Sequence, residues 1–135
     1  MKHAAAIATF LIVLRQAIAT LHGMAHEHLG VGLSPMQQAF VVVVITIAPF
    51  VALVLYWTRY ARQGSLLLWT SMLASMLFGI YYHFIEVSPD HVSHLPAGDS
   101  QSLFISTAIL LIPAELAAAA FGFWSWRKLG DHAKP

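Results

Sequence analysis

The chain contains no cysteine, an absence that removes disulfides, thiolate metal sites, iron–sulfur clusters and thiol nucleophiles together. Any metal it holds must therefore be bound by imidazole, carboxylate, thioether or backbone oxygen. Charge is scarce as well: 10% of the residues are charged, against about a quarter in a typical soluble domain. The net charge is +1 and is not gathered into a basic tract, so nothing points to nucleic acid as a partner. No internal repeat and no low-complexity segment is present.

What the chain has in abundance is apolar residues, 59% of the total, and they fall into long runs that would coat the outside of a globule as well as fill its inside. The solvent for such runs is lipid. A helix needs about 20 mostly apolar residues to cross a hydrocarbon layer about 30 Å thick, and four segments reach that length: Ala4 to His22, Gln38 to Tyr60, Leu66 to Ile85 and Leu103 to Trp126. Gly30, Gly32, Ser34 and Pro35 punctuate the chain before the second segment. Gly64 and Ser65 read as a tight link to the third, while Ser88, Pro89, Pro96, Gly98 and Asp99 mark a longer loop before the fourth. The expected architecture is all-α: a polytopic membrane protein built as one four-transmembrane-helix bundle over residues 1–135, with the lipid bilayer as its first partner.

Lys2, Arg59, Arg62, Arg127, Lys128 and Lys134 all fall at the N-terminus, in the second-to-third link or after the fourth segment. These places share one side of a four-span topology, and lysine and arginine are retained on the cytoplasmic side. Both termini are therefore expected in the cytoplasm, with the two longer loops outside, in the periplasm of a bacterial inner membrane. Trp57, Tyr60, Trp124 and Trp126 then lie at the inner interface. The start of the chain also resembles a signal peptide, with Lys2, an apolar stretch and the small-x-small triplet Ala17, Ile18, Ala19. Arg15 and Gln16 are ill-suited to the approach to a cleavage site, so an uncleaved first helix is expected. Cleavage would leave three spans and a histidine-rich N-terminus.

On this topology the outer side holds no lysine or arginine, but it gathers His22, His26, Glu27, His28, His83, Glu86, Asp90, His91, His94 and Asp99. Six of the eight histidines thus lie at one face of the membrane, and such a face attracts cations. Helical spacing places Arg15, His22 and His26 on one stripe of the first helix, and Met72, Met76, Gly79, His83 and Glu86 on one stripe of the third. Facing pairs of this kind are how helical bundles assemble metal sites. His22, His26, His83 and Glu86 are accordingly the candidate ligands, a set suited to zinc, copper, iron or nickel. Glu27, His28, Asp90, His91 and His94 are candidates for supporting contacts or a delivery path. The run His26, Glu27, His28 is not the H-E-x-x-H of zinc proteases, since one residue separates the histidines. His3 and His132 are expected to be solvated.

Arg15 and Glu115 lie within the apolar segments themselves. Each costs about 2.5–3.5 kcal/mol on insertion scales, so such residues face the bundle interior and pair. An ion pair joining the first and fourth helices is the structural account of them; Glu115 as a proton or cation carrier below the histidines, beside a carbonyl freed by Pro113, is the functional one. Pro49 and Pro113 are expected to kink their helices. Ala114, Ala118 and Gly122 form a small-residue stripe for close helix contact, within the bundle or between protomers. Transition-metal handling, transfer or catalysis is the leading functional expectation, and the residues do not decide whether substrate is turned over. A b-type cytochrome with His22 and His83 as axial ligands of haem b is the alternative. A third is an accessory or assembly subunit of a larger membrane complex, or a homo-oligomer.

Overall fold

The computed structural model describes residues 2–131; His132 and Lys134 lie outside the described residues. Four helices, each long and apolar enough to cross a membrane, account for most of it: α1 (Lys2–Leu29), α2 (Pro35–Tyr56), α3 (Ala61–Ile85) and α4 (Gln101–Asp131). They run alternately up and down. α4 packs between α1 and α3, and α2 closes the ring against α3 and, mainly through its second half, against α1. One end of the bundle carries His22, His26 and His83, and the other carries Arg59, Arg62, Arg127 and Lys128, all four exposed.

The helix ends are set by caps and turns rather than by hydrophobicity: α1, α3 and α4 run beyond the apolar stretches that announce them, whereas α2 starts earlier, at Pro35, but ends at Tyr56, short of the expected Tyr60. α1 continues to Leu29 and stops at Gly30, whose φ of 65° is open to glycine at little cost. The N–H groups of Gly30 and Val31 then bond to the carbonyls of Glu27 and His26 at 3.1 Å each, the Schellman pattern of a helix end. Val31 is thereby turned inward, where it packs with Ala25, Leu95 and Phe104. α2 begins at Pro35 because Ser34 caps it: Ser34 Oγ accepts from Gln37 N at 3.3 Å and Gln37 Oε1 accepts from Ser34 N at 2.7 Å, a capping box followed by proline.

Gly64 and Ser65 do not form the link between the second and third helices. They lie inside α3, and the turn is Trp57–Tyr60. Glycine serves there for close approach, since a Cβ on Gly64 would come within 2.8 Å of the Ala52 carbonyl oxygen. Ser65 returns its hydroxyl to the Ala61 carbonyl at 2.8 Å, a bond the helix accommodates. Gly122 does the same for α4 and α3, with a Cβ there 2.7 Å from Trp69 N; the small-residue stripe is a contact inside the bundle. Around these approaches Ala5, Ala8, Ile12, Ala52, Tyr56, Leu68, Met72, Ala118 and Ala119 form the main core, at the end away from the histidines.

Two π-helical turns interrupt the α-helical pattern, Val41–Ile47 in α2 and Tyr81–Ile85 in α3. The first coincides with the run of β-branched residues Val41–Val44, whose side chains crowd a preceding α-helical turn. π turns concentrate at functional sites, and both of these border the same cavity. Beyond α3 the chain from Glu86 to Ser100 folds back over the histidine end: Val92 N donates to the His83 carbonyl at 3.0 Å, and Leu95 is buried.

Candidate metal centre

His22 and His26 stand one turn apart on α1, and His83 lies within the π turn of α3. The three rings converge on a shared centre, where Phe104 of α4 presses on all of them with ring centroids 4.5, 4.6 and 5.3 Å away. His22 and His83 are 7% and 6% exposed, so neither ring is a solvated interfacial group. Each of the three offers one ligand atom, and these atoms lie within 4.8 Å of one another. This cluster is able to hold a metal ion.

The hydrogen-bond partners determine which nitrogen of each ring is free. His22 Nδ1 lies 2.9 Å from Thr107 Oγ1. That hydroxyl has one hydrogen, directed to the Leu103 carbonyl at 2.6 Å with Phe104 as a second acceptor at 3.0 Å, so His22 Nδ1 must be the donor. His83 Nδ1 faces the Asp90 carbonyl oxygen at 3.1 Å, and His26 Nδ1 faces the Val31 carbonyl oxygen at 3.2 Å. A carbonyl only accepts. All three Nδ1 atoms therefore carry hydrogen, and in the neutral rings all three Nε2 atoms present lone pairs. His22 Nε2 and His83 Nε2 nevertheless approach to 3.1 Å, acceptor against acceptor.

Asp90 compounds the imbalance. Its carboxylate is buried, with Oδ1 3.2 Å from His26 Nε2 and Oδ2 3.4 Å from His83 Nδ1, yet neither oxygen has a hydrogen-bond partner among the described residues. Buried polar groups are normally satisfied. Burial alone would push the Asp90 carboxyl up, but the close approach of His83 and the positive charge that His83, His26 and His22 can carry outweigh it and hold the group below the usual carboxylate range. The centre thus sets imidazole lone pairs beside a carboxylate, an arrangement that could accept a cation.

Known protein families, curated proteins and solved structures yield no match to this chain. The reading of the centre rests on its own chemistry.

Of the four candidate ligands, the three histidines meet and Glu86 does not. Helical spacing of 3.6 residues put Glu86 on the stripe of His83, but the π turn has a wider period. Glu86 N bonds to the Tyr81 carbonyl five residues back at 2.7 Å, and the chain leaves the helix in an extended conformation. Its carboxylate is exposed and accepts from Tyr81 Oη at 2.9 Å. Asp90, expected among the supporting residues, supplies the acid at the centre instead. Glu27 is exposed but borders the cavity. His28 is exposed and meets Ser100 Oγ at 3.2 Å, while His91 and His94 flank Ser93 Oγ at 2.8 and 3.2 Å, away from the centre.

Arg15 and Glu115 meet: Arg15 Nη2 lies 2.6 Å from Glu115 Oε1, with both side chains almost wholly buried. Ser75 of α3 completes the group by accepting from Arg15 Nη2 at 2.8 Å and donating to Glu115 Oε1. Ser75 and Thr107 were not picked out from the sequence; the only signal was a hydroxyl facing the depth of a known polar residue across an apolar bundle. The carbonyl that joins Arg15 is also not the one beside Pro113. It is that of Ile45, 2.9 Å from Arg15 Nη1, on a different helix.

Proposed function

We propose that this is a small integral membrane protein that binds a divalent transition-metal ion through Nε2 of His22, His26 and His83, with the Asp90 carboxylate beside it. The observation that carries the reading is that each Nδ1–H is committed to a protein acceptor while the three Nε2 lone pairs converge. An outer partner on the second ring nitrogen is the usual dress of a metal-bound histidine. Two imidazoles on a tetrahedral zinc ion, with bonds of 2.0–2.1 Å, stand about 3.3 Å apart, close to the 3.1 Å between His22 and His83. His26 offers its ligand atom within 4.8 Å of the other two. Protons shared among the rings would relieve the same crowding, but at least two would be needed where one metal ion serves all four groups.

Three nitrogens and an oxygen suit zinc, copper(II), iron and nickel, and the tetrahedral preference of zinc fits three ligands from two helices best. The haem reading loses support. Axial nitrogens on opposite faces of a porphyrin are separated by two metal–ligand bonds, about 4 Å, with a macrocycle between them, and His22 and His83 are too close to admit one. Membrane insertion is supported by the four apolar helices and by exposed Phe10, Val43, Val54, Leu77 and Leu116 along their outward faces. The basic residues at the opposite end favour a cytoplasmic location for both termini and a periplasmic one for the metal centre.

Purification in mild detergent followed by metal analysis tests the function. About one equivalent of zinc is expected, lost in His83→Ala and His22→Ala and released on acidification, because protons compete for the same lone pairs. A folded protein that takes up neither zinc, cobalt, copper nor nickel would exclude the reading.

A further inference from the structure

The cavity beneath the histidines is larger than a metal ion requires. Its volume is ≈ 540 Å³, whereas one water occupies about 30 Å³ and pockets for small molecules begin at about 300 Å³. Ala19, Val41, Ile45, Phe78, Leu111 and Ile112 make its walls largely apolar. Its strongest polar groups are divided between two ends: the imidazoles at one, and Glu115, Arg15 and Ser75 at the other.

The hydrogen-bond balance at the second end is unusual. All three bonds to Glu115, two from Arg15 and one from Ser75, fall on Oε1, and Oε2 takes none among the described residues. Arg15 has five N–H groups, and five acceptor contacts engage them: Glu115 Oε1 twice, Ser75 Oγ, the Ile45 carbonyl and Gln16 Oε1. This end therefore offers a free acceptor and no free cationic donor. A ligand reaching it must bring an O–H or N–H, and a carboxylate or phosphate would meet only Glu115.

Two glycines stand at the wall of the chamber. Gly23 and Gly79 both border it, and both sit inside helices, where glycine is less favourable than alanine by about 1 kcal/mol. Neither is there for close packing. A Cβ on Gly23 would meet nothing within 4 Å, and one on Gly79 only His83 Cδ2 at 3.9 Å, whereas Gly64 and Gly122 abut backbone atoms.

We propose that this chamber binds a small, largely apolar molecule that coordinates the metal at one end and donates a hydrogen bond from an O–H or N–H to Glu115 at the other. The inference rests on the metal reading, and it has the three imidazoles hold the ion while the ligand binds in addition to, or in place of, the Asp90 oxygen, so that the centre is open rather than a closed structural site. The seven residues from Arg15 to His22 set the span of the ligand at about 10 Å.

The probes are straight-chain hydroxamic acids of increasing length that end in hydroxyl, methyl or carboxylate, titrated into the cobalt-loaded full chain in detergent and followed by the visible cobalt spectrum. Expected are an affinity optimum at one chain length and, at that length, tighter binding by about tenfold for the hydroxyl end than for the carboxylate end, the equivalent of about 1.4 kcal/mol. Gly79→Leu should lower hydroxamate affinity by a similar factor at unchanged cobalt content, while Gly79→Ala should not. Cobalt binding with affinities indifferent to length and end group in the unmodified chain overturns the chamber and leaves the metal reading standing. No cobalt binding at all overturns both.

Discussion

An arginine enclosed in an apolar bundle is tolerated when each of its N–H groups has an acceptor, and Arg15 meets that condition partly through the backbone of α2. The carbonyl of Ile45, within the π turn Val41–Ile47, lies 2.9 Å from Arg15 Nη1. Glu115 neutralises the charge, so its removal leaves a cation buried without a counter-ion. Breaking a buried pair from one side costs about 3–5 kcal/mol, whereas replacing both members with apolar residues of similar size is often neutral or better. Glu115→Ala should therefore lower the thermal unfolding midpoint in detergent sharply, and Arg15→Met combined with Glu115→Leu should restore most of the loss. If the double variant is as unstable as the single one, the pair is not what holds these helices at this depth.

At the scale of helices, the same residue type does opposite work at different places. Gly122 lets α4 lie against the backbone of α3 at Trp69, while Gly23 faces open space. Gly122→Ala should force the two helices apart and destabilise by about 1–3 kcal/mol; Gly23→Ala should be neutral or stabilising by about 0.5–1 kcal/mol, because it removes only the conformational penalty of glycine in a helix. Chemical unfolding of the two variants side by side checks the contrast, and equal effects would contradict it. This duality explains where the sequence was legible. The four apolar helices could be read from composition and length, since lipid-like runs have few other uses. The link at Gly64 and Ser65 could not, because glycine marks close approach as well as turns. His22, His26 and His83 came together as their spacing indicated once α1 was carried past Gly23 by its cap at Gly30. Glu86 did not, because periodicity assumes an α-helix and the π turn at Tyr81–Ile85 changes the phase. Asp90 reached the centre through a fold of the loop, held by Val92 N on the His83 carbonyl, which no periodicity encodes.

The whole molecule is polarised along its axis. Its histidine end gathers the imidazoles and Asp90 with no lysine or arginine among the residues from His22 to Gln37 or from His83 to Gln101. The opposite end carries cations that lie over aromatic rings, Lys128 on Trp124 at 4.9 Å and Arg62 on Trp126 at 5.8 Å, in the manner of side chains anchored at an interface. If the bundle inserts in a bilayer, retention of these cations in the cytoplasm decides the orientation and leaves the metal centre facing out. In a Gram-negative host, alkaline phosphatase inserted beside Pro96 should then be active, and the same enzyme inserted beside Tyr60 should be inactive. A fluorescent protein fused to the C-terminus should fluoresce in the cytoplasm. The opposite pattern would place the three imidazoles on the cytoplasmic side, where the ion must be drawn from a pool the cell buffers tightly. The affinity needed to hold it there would be far higher than for a centre loading from the periplasm, so the topology experiment also sets the range in which the metal affinity has to fall.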